Sequence, residues 1–321
     1  MVLHVSAYNW YDTDVHSFEW QILNFYDSIV RWTVPVFVMI SGSLFLSREI
    51  ELKKIFSKYI FRIATAFIFW SAVYSLARYV KTGSVIKALA TLLGGHYHMW
   101  FLFMISGLYM LVPFMKKIAE SKFLTKYFLI LAFIFAIILP QTITVLSTFY
   151  ETEKYGGFAS RIFNNFHMEF VMGFTGYFLL GYVLNKIKIS FKVERVIYFA
   201  GIFGFITTIV MSSLASLIKS EAVGFYANMS INVLLESVAV FIFFKKNFAM
   251  KSKLIIKLSK YSFGAYLVHD AIISSLRLFG IHSLSFNPVF SVPMISIIVF
   301  VISFSISGVL NQIPVLKKYI V

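Results

Sequence analysis

The stretch YFLILAFIFAIILP, residues 127–140, carries no charged side chain and no alternation of polar with apolar residues. A second run, MISIIVFVISFSISGVL at 294–310, reads the same way. Continuous apolar runs of this length suit a helix crossing a hydrocarbon core of about 30 Å at about 1.5 Å per residue. A membrane barrel strand would alternate instead. Composition agrees: of 321 residues 59% are hydrophobic and only 13% charged, with a mean hydropathy of +0.81. The chain reads as an all-α polytopic membrane protein.

The formal charge is +15, and its distribution argues against nucleic acid as the partner. Lys and Arg gather in short loops after every second apolar segment, which is how membrane orientation is encoded. The sequence predicts spans near 30–47, 59–80, 98–115, 124–146, 168–185, 195–218, 224–244, 261–279 and 290–312. The loops 48–62, 116–126, 186–195 and 245–260, with the C-terminal tail, hold about 21 of the 29 Lys and Arg. That side, with the C-terminus, is expected in the cytoplasm. No cysteine is present, which removes disulfides, thiolate metal sites and a cysteine acyl-enzyme. No cleavable signal peptide is visible, and no repeat or low-complexity tract divides residues 1–321, which read as a single domain.

With nine full spans and a cytoplasmic C-terminus, residues 10–28 lie outside, and residues 1–9 form the outer half of a first helix. The expected whole is a bundle of about ten transmembrane helices, the first truncated at its N-terminus. A free α-ammonium at Met1 near mid-bilayer would cost about 3 kcal/mol, so the native chain is expected to start upstream. The longest outside segments are 10–28 and 148–167. The second contains YETEKYGGFASRIFNNFH (150–167), with Tyr, Asn, Glu and Arg suited to gripping a sugar, or to an ordinary solvated loop.

Ionisable groups within spans are costly, so each needs an explanation. They are His4, Arg31, His98, Glu169, Glu236, His269 and Asp270. Phosphate-loop, dinucleotide, zinc-protease and nucleophile-elbow motifs are all missing. The potential metal ligands are scattered along the chain, and no metal is expected.

Several stretches resemble the membrane acyltransferase 3 family. They are RWTVPVFVMISGSLFLSRE (31–49), HYHMWFLFMISGLYMLVPFMKK (96–117), GYFLLGYVL (176–184), SFGAYLVHDAI (262–272) and IPVLKKYI (313–320). The likeness runs almost end to end and is similar to the surface-polysaccharide branch, such as the enterobacterial common antigen O-acetyltransferases. It implies a multi-pass protein of the bacterial cytoplasmic membrane. The implied activity is transfer of an acyl group, expected to be acetyl, from acyl-CoA to a hydroxyl of a surface glycan or its lipid-linked precursor. A glycan exporter or flippase with no acyl-transfer chemistry is the alternative. The resemblance places His4, in LHVSA (3–7), at the family's first-span histidine. Family members pair that histidine with an arginine eleven positions earlier, which this chain lacks.

Acyl transfer to a hydroxyl needs a base for the hydroxyl proton, and imidazole suits that task at neutral pH. His4 is the candidate, its plain alternative being a helix-end imidazole bonded to a backbone carbonyl. Developing oxyanion charge needs donors, and Arg31 or His98 could supply them. Arg31 follows Asp27 by four residues, so an ion pair at the helix start is the rival reading. His98 could equally be solvated at the interface, and His96 is the weaker of the two. Glu236, in NVLLESVAVF (232–241), is expected to play a structural part, either paired with a histidine or arginine across the bundle or held protonated. His269 and Asp270 are expected to form a packed, hydrogen-bonded pair, with a catalytic pair as the alternative. In SKYIFRIATAF (57–67), Lys58 and Arg62 are candidates for the CoA phosphates, against ordinary positive-inside bias. Pro35 and the Ser41–Gly42–Ser43 run shape helix packing. Direct transfer is simpler than a Ser41 acyl ester.

Overall fold

The computed structural model describes residues 1–149, 168–248 and 252–321. Among the described residues the regular structure is entirely helical. A short helix α1 (Val2–Ala7) is followed by α2 (Phe18–Ser28), α3 (Thr33–Leu46), α4 (Leu52–Thr82), α5 (Val85–Gly94), α6 (Trp100–Met110) and α7 (Val112–Glu120). Then come α8 (Lys122–Phe149), α9 (Met168–Lys186), α10 (Phe191–Lys219), α11 (Ile231–Asn247), α12 (Lys253–Leu278), α13 (Pro288–Leu310) and α14 (Pro314–Tyr319). Local chemistry sets several starts. Ser17, Ser230 and Ser252 each accept a hydrogen bond from a first-turn backbone N–H, and Asn287 does so just before Pro288. These side chains satisfy donors that a helix start leaves open.

Among the described residues, six stretches are long and apolar enough to cross a membrane: Phe18–Leu46, Leu52–Thr82, Val85–Met110, Lys122–Phe149, Phe191–Lys219 and Pro288–Leu310. Burial along them is inverted relative to a water-soluble helix. On α10, Thr208, Ser212 and Ser216 are buried while Phe199 is 71% exposed and Phe203 63%. On α13, Ser291, Ser303 and Ser307 are buried while Phe290, Ile297 and Val301 face outward. Small polar residues let helices approach and find partners inside the bundle, and large apolar ones meet lipid. Ser212, for example, accepts from the Phe225 backbone N–H at 2.9 Å.

Several expected boundaries move, among them α12, which starts at Lys253 rather than 261, and three others. Residues 18–28, expected in an external loop, form α2 and continue towards α3 as one apolar stretch. The span expected at 98–115 is interrupted at Leu111, where Pro113 at the head of α7 starts a new helix. The span expected from 224 begins at Ile231 under the Ser230 cap. Segment 150–167, expected as either a sugar grip or an ordinary loop, lies outside the described residues, as does the side chain of Glu169.

The tightest seam joins α3 to α9. A Cβ added at Gly42 would lie 1.8 Å from the Phe178 carbonyl oxygen, and one at Gly181 would lie 2.0 Å from that of Met39. Only glycine permits this backbone approach. One buried cluster, with Val38, Met39, Phe178, Leu179 and Phe241, forms around that seam. A second, with Val5, Trp10, Trp20, Trp70, Tyr74, Met99 and Leu267, holds α1 against α2, α4 and α12. The polar site is set into this second cluster.

Candidate active site

Gly95 ends α5 with a φ of +76°, a conformation that L side chains rarely adopt, and a Cβ there would meet Phe67 at 2.6 Å. The chain then enters a single 3-10 turn, Tyr97–Met99, closed by Met99 N–H donating to the His96 carbonyl at 2.8 Å. This turn presents His96, Tyr97 and His98 together. Two tyrosines lock it to its neighbours. Tyr266 on α12 donates to the His98 carbonyl at 2.6 Å. Tyr74 on α4 donates to the Leu267 carbonyl at 2.8 Å and stacks on the His96 ring at 4.4 Å.

His4 reaches this turn from α1. Its Nδ1 lies 3.0 Å from the Tyr97 hydroxyl, which donates at 2.6 Å to Oδ1 of Asp270 on α12. Tyrosine has one hydroxyl proton, and an ionised carboxylate only accepts. With that proton directed to Asp270, Nδ1 of a neutral His4 must be the N–H that donates to the Tyr97 oxygen. The lone pair is then on Nε2, which no other described residue engages. His98 and His269 surround His4, with ring centroids 6.4 and 4.8 Å away. Asp270 is fully buried, His98 2% exposed and Tyr97 53% exposed, so the site has a closed floor and an open edge. The arrangement can accept a proton at a fixed nitrogen beside a buried carboxylate.

The family model described as an acyltransferase domain, that of acyltransferase 3, matches residues 1–311. The chain belongs to the acyltransferase 3 family. No curated protein and no solved structure gave a match. The match covers every residue of the cluster, so the histidine turn and α12 are parts of the acyltransferase domain itself.

Within this acyltransferase 3 chain the expected residues divide. His4, His98, His269 and Asp270 meet in one cluster. His269 and Asp270 are not bonded to each other, contrary to expectation. Adjacent residues on a helix point about 100° apart, so His269 Nδ1 donates to the Tyr266 carbonyl at 2.5 Å while Asp270 takes Tyr97. Arg31 makes no hydrogen bond to His4 or His98. It is ion-paired to buried Asp27, with its guanidinium 3.7 Å above the Tyr226 ring. Among the described residues Glu236 pairs with neither histidine nor arginine. Thr208 donates to its Oε1 at 2.5 Å, and Asn232 donates to Thr208 at 2.8 Å, joining α10 to α11.

Arg62 donates to the Val321 carbonyl, and Lys58 is exposed over the Tyr59 ring. A groove of about 880 Å³ lies between α8 and α9, lined by Lys122, Lys126, Tyr182 and Lys186, and includes none of the clustered residues. Sequence reasoning missed Tyr97 and undervalued His96. It also took the metal-binding side chains to be scattered, whereas His96, His98 and Asp270 converge. The available signal was HYH directly after a glycine pair, two imidazoles at a helix break.

Proposed function

We propose that this chain is an integral membrane O-acyltransferase that moves an acyl group, expected to be acetyl, from acyl-CoA to a hydroxyl of a surface glycan or its lipid-linked precursor. The observation that carries this reading is the His4–Tyr97–Asp270 relay. Nε2 of His4 takes the acceptor hydroxyl proton as that oxygen attacks the thioester carbonyl. The carbon–sulfur bond breaks, and the imidazolium returns the proton to the departing thiolate. Tyr97 and Asp270 hold the imidazole tautomer and its orientation, as positioning residues. His98, with Nε2 buried and unbonded among the described residues, takes the oxyanion role in place of Arg31.

The topology belongs to the same reading: about ten spans in the bacterial cytoplasmic membrane, with the basic loops and C-terminus inside. CoA approaches from that face, where Lys58 meets its phosphates and Arg62 does so on releasing Val321. The glycan hydroxyl approaches the open edge at Tyr97 from the other side.

The test is a reconstituted assay with labelled acetyl-CoA and a lipid-linked glycan acceptor. Label should reach the acceptor with wild type and not with His4→Ala at equal protein abundance. Transfer retained in His4→Ala but lost in His269→Ala would reassign the base. Glycan movement across the bilayer with no transfer of label would favour an exporter.

A further inference from the structure

Three ligand-type atoms meet beside the relay without a partner that satisfies them all. Nδ1 of His96 lies 3.1 Å from Nδ1 of His98 and 3.4 Å from Oδ2 of Asp270. The ligand atoms of all three residues fall within 4.8 Å of one another. We propose that His96, His98 and Asp270 form a divalent-cation site suited to Zn²⁺.

Proton counting motivates it. If His96 Nδ1–H donates to His98, Oδ2 of Asp270 receives nothing. If it donates to Asp270, the lone pair of His98 Nδ1 is stranded. If His98 is the donor, the lone pair of His96 faces the carboxylate. One proton cannot serve three convergent acceptors, because each imidazole nitrogen has one lone pair or one hydrogen. A single cation serves all three. Burial raises the stakes at the same oxygen: Oδ2 of fully buried Asp270, with His96 Nδ1 at 3.4 Å, has no well-formed hydrogen bond among the described residues. An unmatched buried carboxylate oxygen is costly in a low-dielectric interior.

Geometry and ligand chemistry select the ion. A tetrahedral Zn²⁺ with bonds of about 2.0–2.1 Å has ligand atoms about 3.3–3.4 Å apart. Two of the three separations are already close to this. Two neutral imidazoles and one carboxylate suit Zn²⁺ rather than Mg²⁺ or Ca²⁺, which prefer all-oxygen shells. The supporting contacts are those expected around a metal site. The Tyr97 hydroxyl holds the other oxygen of Asp270, the Tyr74 ring packs on His96, and Tyr266 fixes the turn that carries His98. Three protein ligands leave a fourth position for water or a substrate oxygen.

Untagged protein, stripped with chelator and exposed to Zn²⁺ alone, should retain about one equivalent after gel filtration, by elemental analysis. His98→Ala and Asp270→Asn should each lower retention at least tenfold. His16→Ala, at an exposed loop position, should not. Zn²⁺ should also raise the Tm of the stripped wild type, and Co²⁺ should give visible bands of tetrahedral coordination. These two wild-type readouts decide the matter if the variants fail to fold. Uptake well below one equivalent, or uptake indifferent to His98→Ala and Asp270→Asn, overturns the site. His4→Ala should abolish acyl transfer while retaining the metal, which separates failure of this site from failure of the acyl-transfer reading.

Discussion

Among the described residues, the Tyr97 hydroxyl is the one group that hydrogen-bonds both His4 and Asp270. Removing a general base costs typically 10²–10⁴-fold, so His4→Ala should lose on the order of 10³-fold in kcat. Tyr97→Phe keeps the ring and deletes the linking oxygen. It should lower kcat by up to about 10²-fold through misorientation of the imidazole, with KM for the acyl donor unchanged. A steady-state assay varying acyl-CoA separates the two parameters, and a Tyr97→Phe effect confined to KM would count against a positioning role. Sequence reasoning singled out His4 because imidazole near a span is costly and chemically apt. It had no means of selecting Tyr97, because tyrosines are common at membrane interfaces and its partners lie 93 and 173 residues away.

Between elements, the α3–α9 seam and the α10–α11 network make separate demands. Gly42→Ala places a methyl against the Phe178 carbonyl, where the obstacle is backbone rather than a side chain that can rotate away. The helices must separate, at about 1–3 kcal/mol, and a lowered Tm in detergent measures it. Thr208→Val removes the hydroxyl that donates to Glu236. With the buried carboxylate left short of a donor, a loss of about 1–3 kcal/mol is expected. Thr208→Ser should restore most of it, and equal loss in both variants would mean that packing, not the hydrogen bond, matters. The sequence marked the Ser41–Gly42–Ser43 run as a place for close helix packing and Glu236 as costly for its surroundings. Of the alternatives weighed for Glu236, a charged partner is not the one found among the described residues: the Thr208 hydroxyl donates to it, and the Asn232 amide holds that hydroxyl.

Across the whole molecule, the prediction is orientation. Reporter fusions after Val321 and in the 186–195 loop should give cytoplasmic signals, and one in the Thr82–Val85 connection an external signal. An external C-terminus would reverse the reading of donor and acceptor faces. If CoA meets the basic face, Lys58→Ala should raise KM for the donor about threefold, the small effect expected of an exposed charge, with kcat unchanged. By itself the sequence determined the solvent and the class of fold, because continuous apolar runs in so weakly charged a chain leave only membrane helices. It also singled out His4, His98, His269 and Asp270, with Arg31, Glu169 and Glu236 beside them, because each is costly where it stands. Only the tertiary structure decided which of them meet. A helix fixes the direction of each side chain to within its turn, but whether α1, the 96–98 turn and α12 converge depends on packing between segments far apart in the chain. Arg62 was claimed by Val321 through such a contact, whereas Arg31 was claimed by Asp27 one turn away, the local pair already legible in the sequence, and His96 and Tyr97 were delivered to the site by a glycine-broken turn.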